Sequence, residues 1–415
     1  MTERIVVRAG HLLDVRAGEL VPDRALVVEE GRVTAVLPAA DAPPPTEVAT
    51  IDLGELFVVP GLIDCHSHLV GNVQEAGVPA TTTTAAQEAF FGVRNARATL
   101  RAGFTSVRDL GTFRAFVDRD LRDAIEAGDV EGPRMQVSGA FITAPWGGGD
   151  VVGLAPDIRI PDDLRFGVVT TPDEVRDRVR RLFIGGVDLI KCIATGAVLT
   201  RGGVPGAPEL TEAELRAAVD EAAHYGGFVA AHAHGAEGAR RAIRAGVRSI
   251  EHGCILDDEA IAMLAASGTW LVMDLYDGEW MAEAGRREGW PQEILRKNDE
   301  TMETAVIVFG KALAAGVRLA YGTDSGVYPH GLNARQLAWY VRMGMTPLAA
   351  IRSATLWAAE LLGREAAVGS LEPGRFADLV AVAADPLADV RALGSPVVVA
   401  KGGRVVRDDR ITTYA

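Results

Sequence analysis

The chain has 415 residues, long enough for more than one structural unit, and its 42 basic against 56 acidic side chains leave a formal charge of −14. With a pI near 5.1, such a surface repels phosphate backbones and argues against nucleic-acid binding through a basic face. At 48% hydrophobic and 24% charged residues the composition is globular; no apolar run reaches membrane-spanning length and Met1-Thr2-Glu3-Arg4 lacks a signal-peptide layout, so a soluble cytoplasmic protein with no membrane partner is expected.

In chain order, short apolar runs at 5–7, 25–28 and 32–36 read as strands separated by turns. The last stretch reads the same way, with strands at 378–382, 397–399 and 404–406 around the turn Gly402-Gly403. Strand-rich ends flanking a different pattern suggest one small composite β-sandwich, 1–57 plus 368–415, around a middle unit 58–367.

The middle alternates eight strand candidates, at 57–59, 105–107, 135–137, 187–190, 228–231, 248–250, 271–273 and 317–320, with helical patterns such as 212–223, 236–245 and 258–266. Alternation of this kind fits an α/β fold, a (β/α)8 TIM barrel. Pro43-Pro44-Pro45 is a surface turn, and 146–150 and 201–206 are glycine-rich connections. Neither glycine run precedes a Lys-Ser/Thr pair, so a phosphate-cradling loop is not expected. Cys65, Cys192 and Cys254 are too few and scattered for a disulfide framework and read as small packing residues.

The histidines are unevenly placed. His66 and His68 follow the apolar run at Leu62-Ile63, and residues i and i+2 of a strand share a face, so both imidazoles can reach one point. His232 follows Val229-Ala230-Ala231, with His234 two further on; His252 follows Ser249-Ile250-Glu251, and Asp324 follows Gly322-Thr323. Each alone reads as readily as a core or solvated polar residue. Together they place imidazoles and a carboxylate at the same end of several strands, the end that carries active sites in such barrels. Four histidines and an aspartate with open positions suit Zn²⁺ or a similar divalent ion.

Among the basic residues only Lys191, Lys297, Lys311 and Lys401 are lysines. Lys191 ends the strand candidate at 187–190, where a protonated amine would be repelled by a divalent cation. A neutral lysine amine can add CO2 to give a carbamate able to bridge two metals, which an arginine guanidinium cannot do.

The run Val59-Pro60-Gly61-Leu62-Ile63-Asp64-Cys65-His66-Ser67-His68, with Lys191, His232, His252 and Gly322-Thr323-Asp324, resembles the amidohydrolase superfamily of binuclear type, and Gly374-Arg375-Phe376-Ala377-Asp378-Leu379-Val380 resembles its second β domain. Within it, Lys191-Cys192-Ile193-Ala194-Thr195-Gly196, His232-Ala233-His234-Gly235 and Tyr328-Pro329-His330-Gly331 look like the dipeptidase and carboxypeptidase branch, whose relatives also hydrolyse ochratoxin. The resemblance implies two divalent ions, with Zn²⁺ expected. His66, His68 and Asp324 would hold the more buried ion, His232 and His252 the exposed one, and carbamylated Lys191 would bridge them. It implies attack by a bridging hydroxide with Asp324 as acid and base, His234 and His330 as substrate contacts, and a homo-oligomer. The expected substrate is a dipeptide or N-acyl amino acid; another amide, carbamate, urea or lactone is the alternative, and a non-catalytic relative a third. The run 146–150 lacks the histidine that many members of the branch carry there, and Ala197 stands where a glycine is common. After the seventh strand candidate, Asp274, Tyr276, Asp277 and Glu279 are expected as a solvated acidic loop, with a contact to a basic group as the other reading; Arg201 is a candidate for a substrate carboxylate.

Overall fold

The computed structural model describes residues 4–70, 80–155 and 157–410; the outermost residues of the expected composite unit, 1–3 and 411–415, lie outside them. The chain opens with a meander of β1 (Arg4–Asp14), β2 (Glu19–Glu29) and β3 (Arg32–Pro38), paired antiparallel in sequence order. Glu30 and Gly31 join β2 to β3 with φ of 51° and 76°, the pair of left-handed residues that a tight two-residue hairpin needs. Strands β4 (Ala49–Asp52) and β5 (Phe57–Pro60) then pair parallel to β1.

At Gly61 the chain leaves this sheet. Its N–H donates to Asp378 O at 2.8 Å and the next N–H to Gly103 O at 3.0 Å. A Cβ at Gly61 would stand 2.1 Å from Thr105 Oγ1, so only glycine passes there. Beyond it, β6 (Leu62–Ser67), β7 (Phe104–Asp109) and β8 (Arg134–Val137) form a parallel sheet in that order. A second parallel sheet runs β9 (Phe141–Ile142), β10 (Ile190–Ile193), β11 (Val229–Gly235), β12 (Ser249–Ile255) and β13 (Trp270–Val272). Strands β10 to β12 are buried along nearly their whole length, as strands covered on both faces must be.

Helices fill the crossovers: α1 (Ala85–Arg101), α2 (Val117–Ala127), α3 (Pro172–Ile184), α4 (Glu212–His224), α5 (Ala236–Ala245) and α6 (Asp258–Ser267), then α7 (Tyr276–Glu288) and α8 (Gln292–Ala314) after β13. Thr84 with Gln87 and Thr211 with Glu214 build capping boxes that start α1 and α4, and Gly246 and Gly268 end α5 and α6 in the left-handed conformation. The stretch 318–325 hydrogen-bonds on both sides: Leu271 N to Arg318 O at 2.8 Å toward β13, Cys65 N to Tyr321 O and His68 N to Ser325 O at 2.8 Å toward β6. It therefore occupies a strand's place, although its only regular pairings are the isolated bridges Leu271–Leu319 and Ser67–Ser325. Three short helices, α9 (Arg335–Arg342), α10 (Pro347–Ser353) and α11 (Leu356–Leu362), lead back to the terminal sheet.

There β14 (Leu379–Val382), β15 (Val398–Lys401) and β16 (Arg404–Asp408) complete an eight-stranded sheet ordered β16-β15-β14-β5-β1-β2-β3, with β4 also on β1. Val7, Leu26 and Val28 pack with Leu379, Ala381 and Val398 in one core, tying the two ends of the chain together. The run 57–59, expected as the first strand of the middle unit, belongs instead to this sheet. One apolar stretch, Phe57 to Ile63, serves two sheets, and hydrophobicity alone does not divide it. No helix among the described residues is long and apolar enough to cross a membrane.

Candidate metal centre

His66 lies within β6 rather than after it, and its side chain is 1% exposed. His66 Nε2 is 3.4 Å and His68 Nε2 3.3 Å from Asp324 Oδ1, so the i and i+2 imidazoles do converge on one carboxylate oxygen. Lys191, the second residue of β10, is 1% exposed with Nζ 3.4 Å from His66 Nε2. From β11 and β12, the His232 ring centroid lies 4.4 Å from that of His252, and His252 is 4.7 Å from both His66 and His234.

The backbone is bent to present two of these groups. His252 has φ of 67° and Asp324 of 51°, a left-handed conformation that costs a non-glycine residue about 1–3 kcal/mol and is retained only where the surroundings enforce it. Hydrogen bonds from Asp324 N to His66 O at 2.8 Å and from His68 N to Ser325 O supply part of that enforcement.

Around the cluster, other side chains set ring orientation. His68 Nδ1 bonds Gly111 O at 2.7 Å, and His252 Nδ1 lies 2.8 and 2.9 Å from the two oxygens of Asp274. His66 Nδ1 faces Glu251 Oε2 at 3.2 Å; Glu251 is in turn held by Arg108, whose guanidinium is fully buried, at 2.8 Å. Asp64 accepts from Thr323 Oγ1 at 2.6 Å and Asn333 Nδ2 at 2.8 Å, fastening β6 to the stretch that carries Asp324.

Burial governs the protonation of the group. It drives His66 and His232 well below the usual imidazole value and His234 to about 3, while at His68 the Asp324 carboxylate overcomes burial and raises the value. Burial also pulls the Lys191 amine down to about 8. For Asp324 burial acts the other way, but His66 and His68 outweigh it and hold its carboxyl below the ordinary range.

These residues fit divalent ions. Neutral imidazoles and an ionised carboxylate are the protonation states that metal binding requires. Among the described residues His232 Nε2 is buried without a hydrogen-bond partner, an unfavourable state that a coordinated cation relieves. Ring nitrogens of His232, His234 and His252 come within 4.8 Å of one another, as do ligand atoms of His66, His252 and Asp324. All of them line one cavity of about 260 Å³ with apolar walls that include Phe113, Phe141, Val198 and Met281.

Two expectations need correction. His330 is not at the cavity: its Nδ1 bonds the Thr99 hydroxyl at 3.1 Å and its Nε2 the backbone oxygen of His68 at 3.0 Å, so both ring nitrogens are already engaged. The acidic stretch after β13 is not solvated. Asp274 and Asp277 are 4% and 7% exposed and line the cavity, and Glu279 accepts from Trp339 Nε1 at 2.6 Å. Arg201 lines the cavity from an exposed position, and His234 lines it from β11. Asp274, Glu251 and Arg108 were not anticipated as partners of the histidines; the tripeptide Ile250-Glu251-His252, with an acid beside a candidate ligand, was the one signal available.

Residues 57–406 match the model of the amidohydrolase family, and the chain belongs to that family. It is 31% identical over 428 residues to the ochratoxinase of Aspergillus niger, covering 97% of this chain and 86% of that protein. Among solved structures it is similar to a Xaa-Pro dipeptidase with methionine bound in the active site, at 35% identity and a TM-score of 0.90, covering 97% of this chain and 99% of the other. It is also similar to a prolidase complexed with N-methylphosphonate-L-proline, at 29% identity and a TM-score of 0.89, covering 98% and 100%. The protein is thus a hydrolase of amide bonds, and its structural neighbours place the fold in the TIM-barrel class.

Proposed function

We propose that this amidohydrolase uses two divalent ions, with Zn²⁺ the expected metal, to cleave the amide bond of dipeptides or N-acyl amino acids. The observation that carries the reading is the convergence of His66, His68, Lys191, His232, His252 and Asp324, from four strands and the stretch after α8, on one cavity. In this reading the two parallel sheets and the stretch 318–325 make one (β/α)8 barrel, 58–367, beside a composite β unit, 1–57 and 368–415, to which β5 extends.

His66, His68 and Asp324 would hold one ion and His232 and His252 the other. Lys191 Nζ, on adding CO2 and losing a proton, becomes an anion able to join the two. When bound, the ions would polarise the scissile carbonyl and make hydroxide available near neutral pH. A carboxylate oxygen of Asp324 takes the proton released as water adds to the carbonyl carbon, and gives it to the amine nitrogen as the C–N bond breaks. His234, whose Nδ1 has no hydrogen-bond partner among the described residues, would orient the carbonyl or an adjacent carboxylate. The apolar walls would exclude bulk water and take up side chains.

The test is amine release by Zn²⁺-loaded, bicarbonate-treated enzyme from Xaa-Pro, Xaa-Phe, Xaa-Arg and N-acyl amino acids, each beside its C-terminal amide. Turnover that requires the free carboxylate supports the reading. A second reading, hydrolysis of an amide, carbamate, urea or lactone without that carboxylate, is favoured by one feature. Arg201 is the only arginine among the cavity's described lining residues, and it is exposed. Equal turnover of acids and amides would select it. Light scattering on the same preparation tests the expected homo-oligomer, and its metal content separates an enzyme from a non-catalytic relative.

A further inference from the structure

Asp277 stands in the first turn of α7 and lines the cavity. Its carboxylate, that of Asp274 and that of Asp324 each offer an oxygen within 4.8 Å of the others. Two of the three are matched by cationic or hydrogen-donating groups of the cluster: Asp324 by His66 and His68, Asp274 by His252 Nδ1. Asp277 is not. It is 7% exposed, its side-chain hydrogen bond is to the carboxyl of Asp274, and among the described residues no lysine or arginine pairs with it and its Oδ1 has no hydrogen-bond partner. Such an oxygen, beside two further carboxylates and with no cationic side chain of its own, suits a positively charged partner.

The position is rigid. Gln336 Oε1 accepts from Leu275 N at 3.0 Å and from Tyr276 N at 2.7 Å, pinning the turn into α7. Asn298 Nδ2 donates to Gly278 O at 3.0 Å on the other side. At Gly278 a Cβ would stand 2.2 Å from Met302 Sδ, so this turn is packed tightly against α8. A loop built to be solvated is not clamped in this manner; a carboxylate held against a cavity is.

We propose that Asp277 is a specificity-determining residue that receives a cationic group of the substrate, an alkylammonium or guanidinium, at the β13–α7 side of the cavity. Resting on the amide-hydrolase reading above, this narrows the substrate class from amides of amino acids to those carrying a positive charge near the scissile bond. Two sources supply that chemistry, the free α-ammonium of the acyl residue and a basic side chain.

The experiment compares kcat/KM of the Zn²⁺-loaded enzyme for Ala-Leu, N-acetyl-Ala-Leu, Ala-Arg and N-acetyl-Ala-Arg. The expected result is a preference for charged over uncharged substrates by about tenfold or more, which Asp277→Asn abolishes. Preference for Ala-Leu over its acetyl form assigns the α-ammonium; preference confined to the arginine pair assigns the side chain. No preference in the wild type, or an equal fall for all four substrates in Asp277→Asn, overturns the proposal. Asp277→Ser serves as a second variant, with circular dichroism as the check on folding.

Calorimetric titration with pentylammonium chloride, with pentan-1-ol as the uncharged match, reads the site without turnover. Binding of the ammonium alone, lost in Asp277→Asn, supports the cation site. Should the peptides also go uncleaved, only the peptidase reading falls. Binding that is absent, or unchanged by the substitution, shows instead that Asp277 shares a proton with Asp274 and recognises nothing.

Discussion

The two oxygens of Asp274 lie 2.8 and 2.9 Å from His252 Nδ1, so a carboxylate one strand away fixes which nitrogen of that imidazole carries its proton. An ionised carboxylate only accepts, which leaves the proton on Nδ1 and the Nε2 lone pair free for a cation. Partners of this kind sustain metal affinity. Asp274→Ala is expected to weaken retention of one of two ions by about 10- to 100-fold, read as metal content after dialysis against graded chelator. Two ions held as tightly as in the wild type would show that His252 needs no such partner.

His330 and His234 looked alike in sequence and differ in the structure. His330→Ala removes bonds to His68 O and Thr99 Oγ1 and is expected to lower stability by about 1–3 kcal/mol, seen as a fall in Tm of the metal-free protein. His234→Ala is expected to leave Tm nearly unchanged and to alter kcat/KM. A raised KM with an unchanged Tm for His330→Ala would return that residue to the substrate.

Lys191 supplies a pH dependence. Carbamate formation needs the neutral amine, and burial lowers its pKa from 10.5 to about 8. Lowering the pKa of a base enlarges the neutral fraction at any pH below the ordinary value. At a fixed concentration of dissolved CO2, the rate of activation of metal-free protein is therefore expected to rise through pH 8 and level off above it. A rate still climbing toward the ordinary lysine value would mean an amine free in solvent. Lys191→Ala should lose metal, with short carboxylates restoring part of the activity.

Asp324→Asn keeps the volume of the side chain and removes its ability to take a proton. The expected loss is about 10²- to 10⁴-fold in kcat with an unchanged circular dichroism spectrum. A folded, metal-loaded variant with wild-type turnover would move the proton transfer elsewhere.

Much of this was legible because it is written locally. The two-residue period of a strand brought His66 and His68 together, and a rare lysine in an apolar run marked Lys191. What failed depended on distant partners. The solvated reading of Asp274 and Asp277 failed because their burial is imposed by Gln336 and the packing of α8, some 60 and 20 residues away in sequence. Tyr328-Pro329-His330-Gly331 gave the neighbourhood of His330, but Thr99 and the His68 carbonyl take both of its nitrogens. Phe57–Pro60 was misplaced because the break at Gly61 is defined by Thr105, a residue of another strand.

The pairing of β5 with β14 bears on the order in which the protein is made. Pro60 lies opposite Leu379 in that register, a partner synthesised roughly 300 residues later. His66, at the other side of Gly61, likewise waits for the stretch that bonds its backbone, 318–325. A chain growing from the ribosome can close the β1–β2–β3 meander early and set β5 on β1 and the histidine strand on β7, but each of these two strands keeps its other edge unpaired through most of translation. Release of a chain stopped short of Asp324 would yield a product with an exposed apolar edge and an incomplete ligand set, a form for proteases and chaperones to clear.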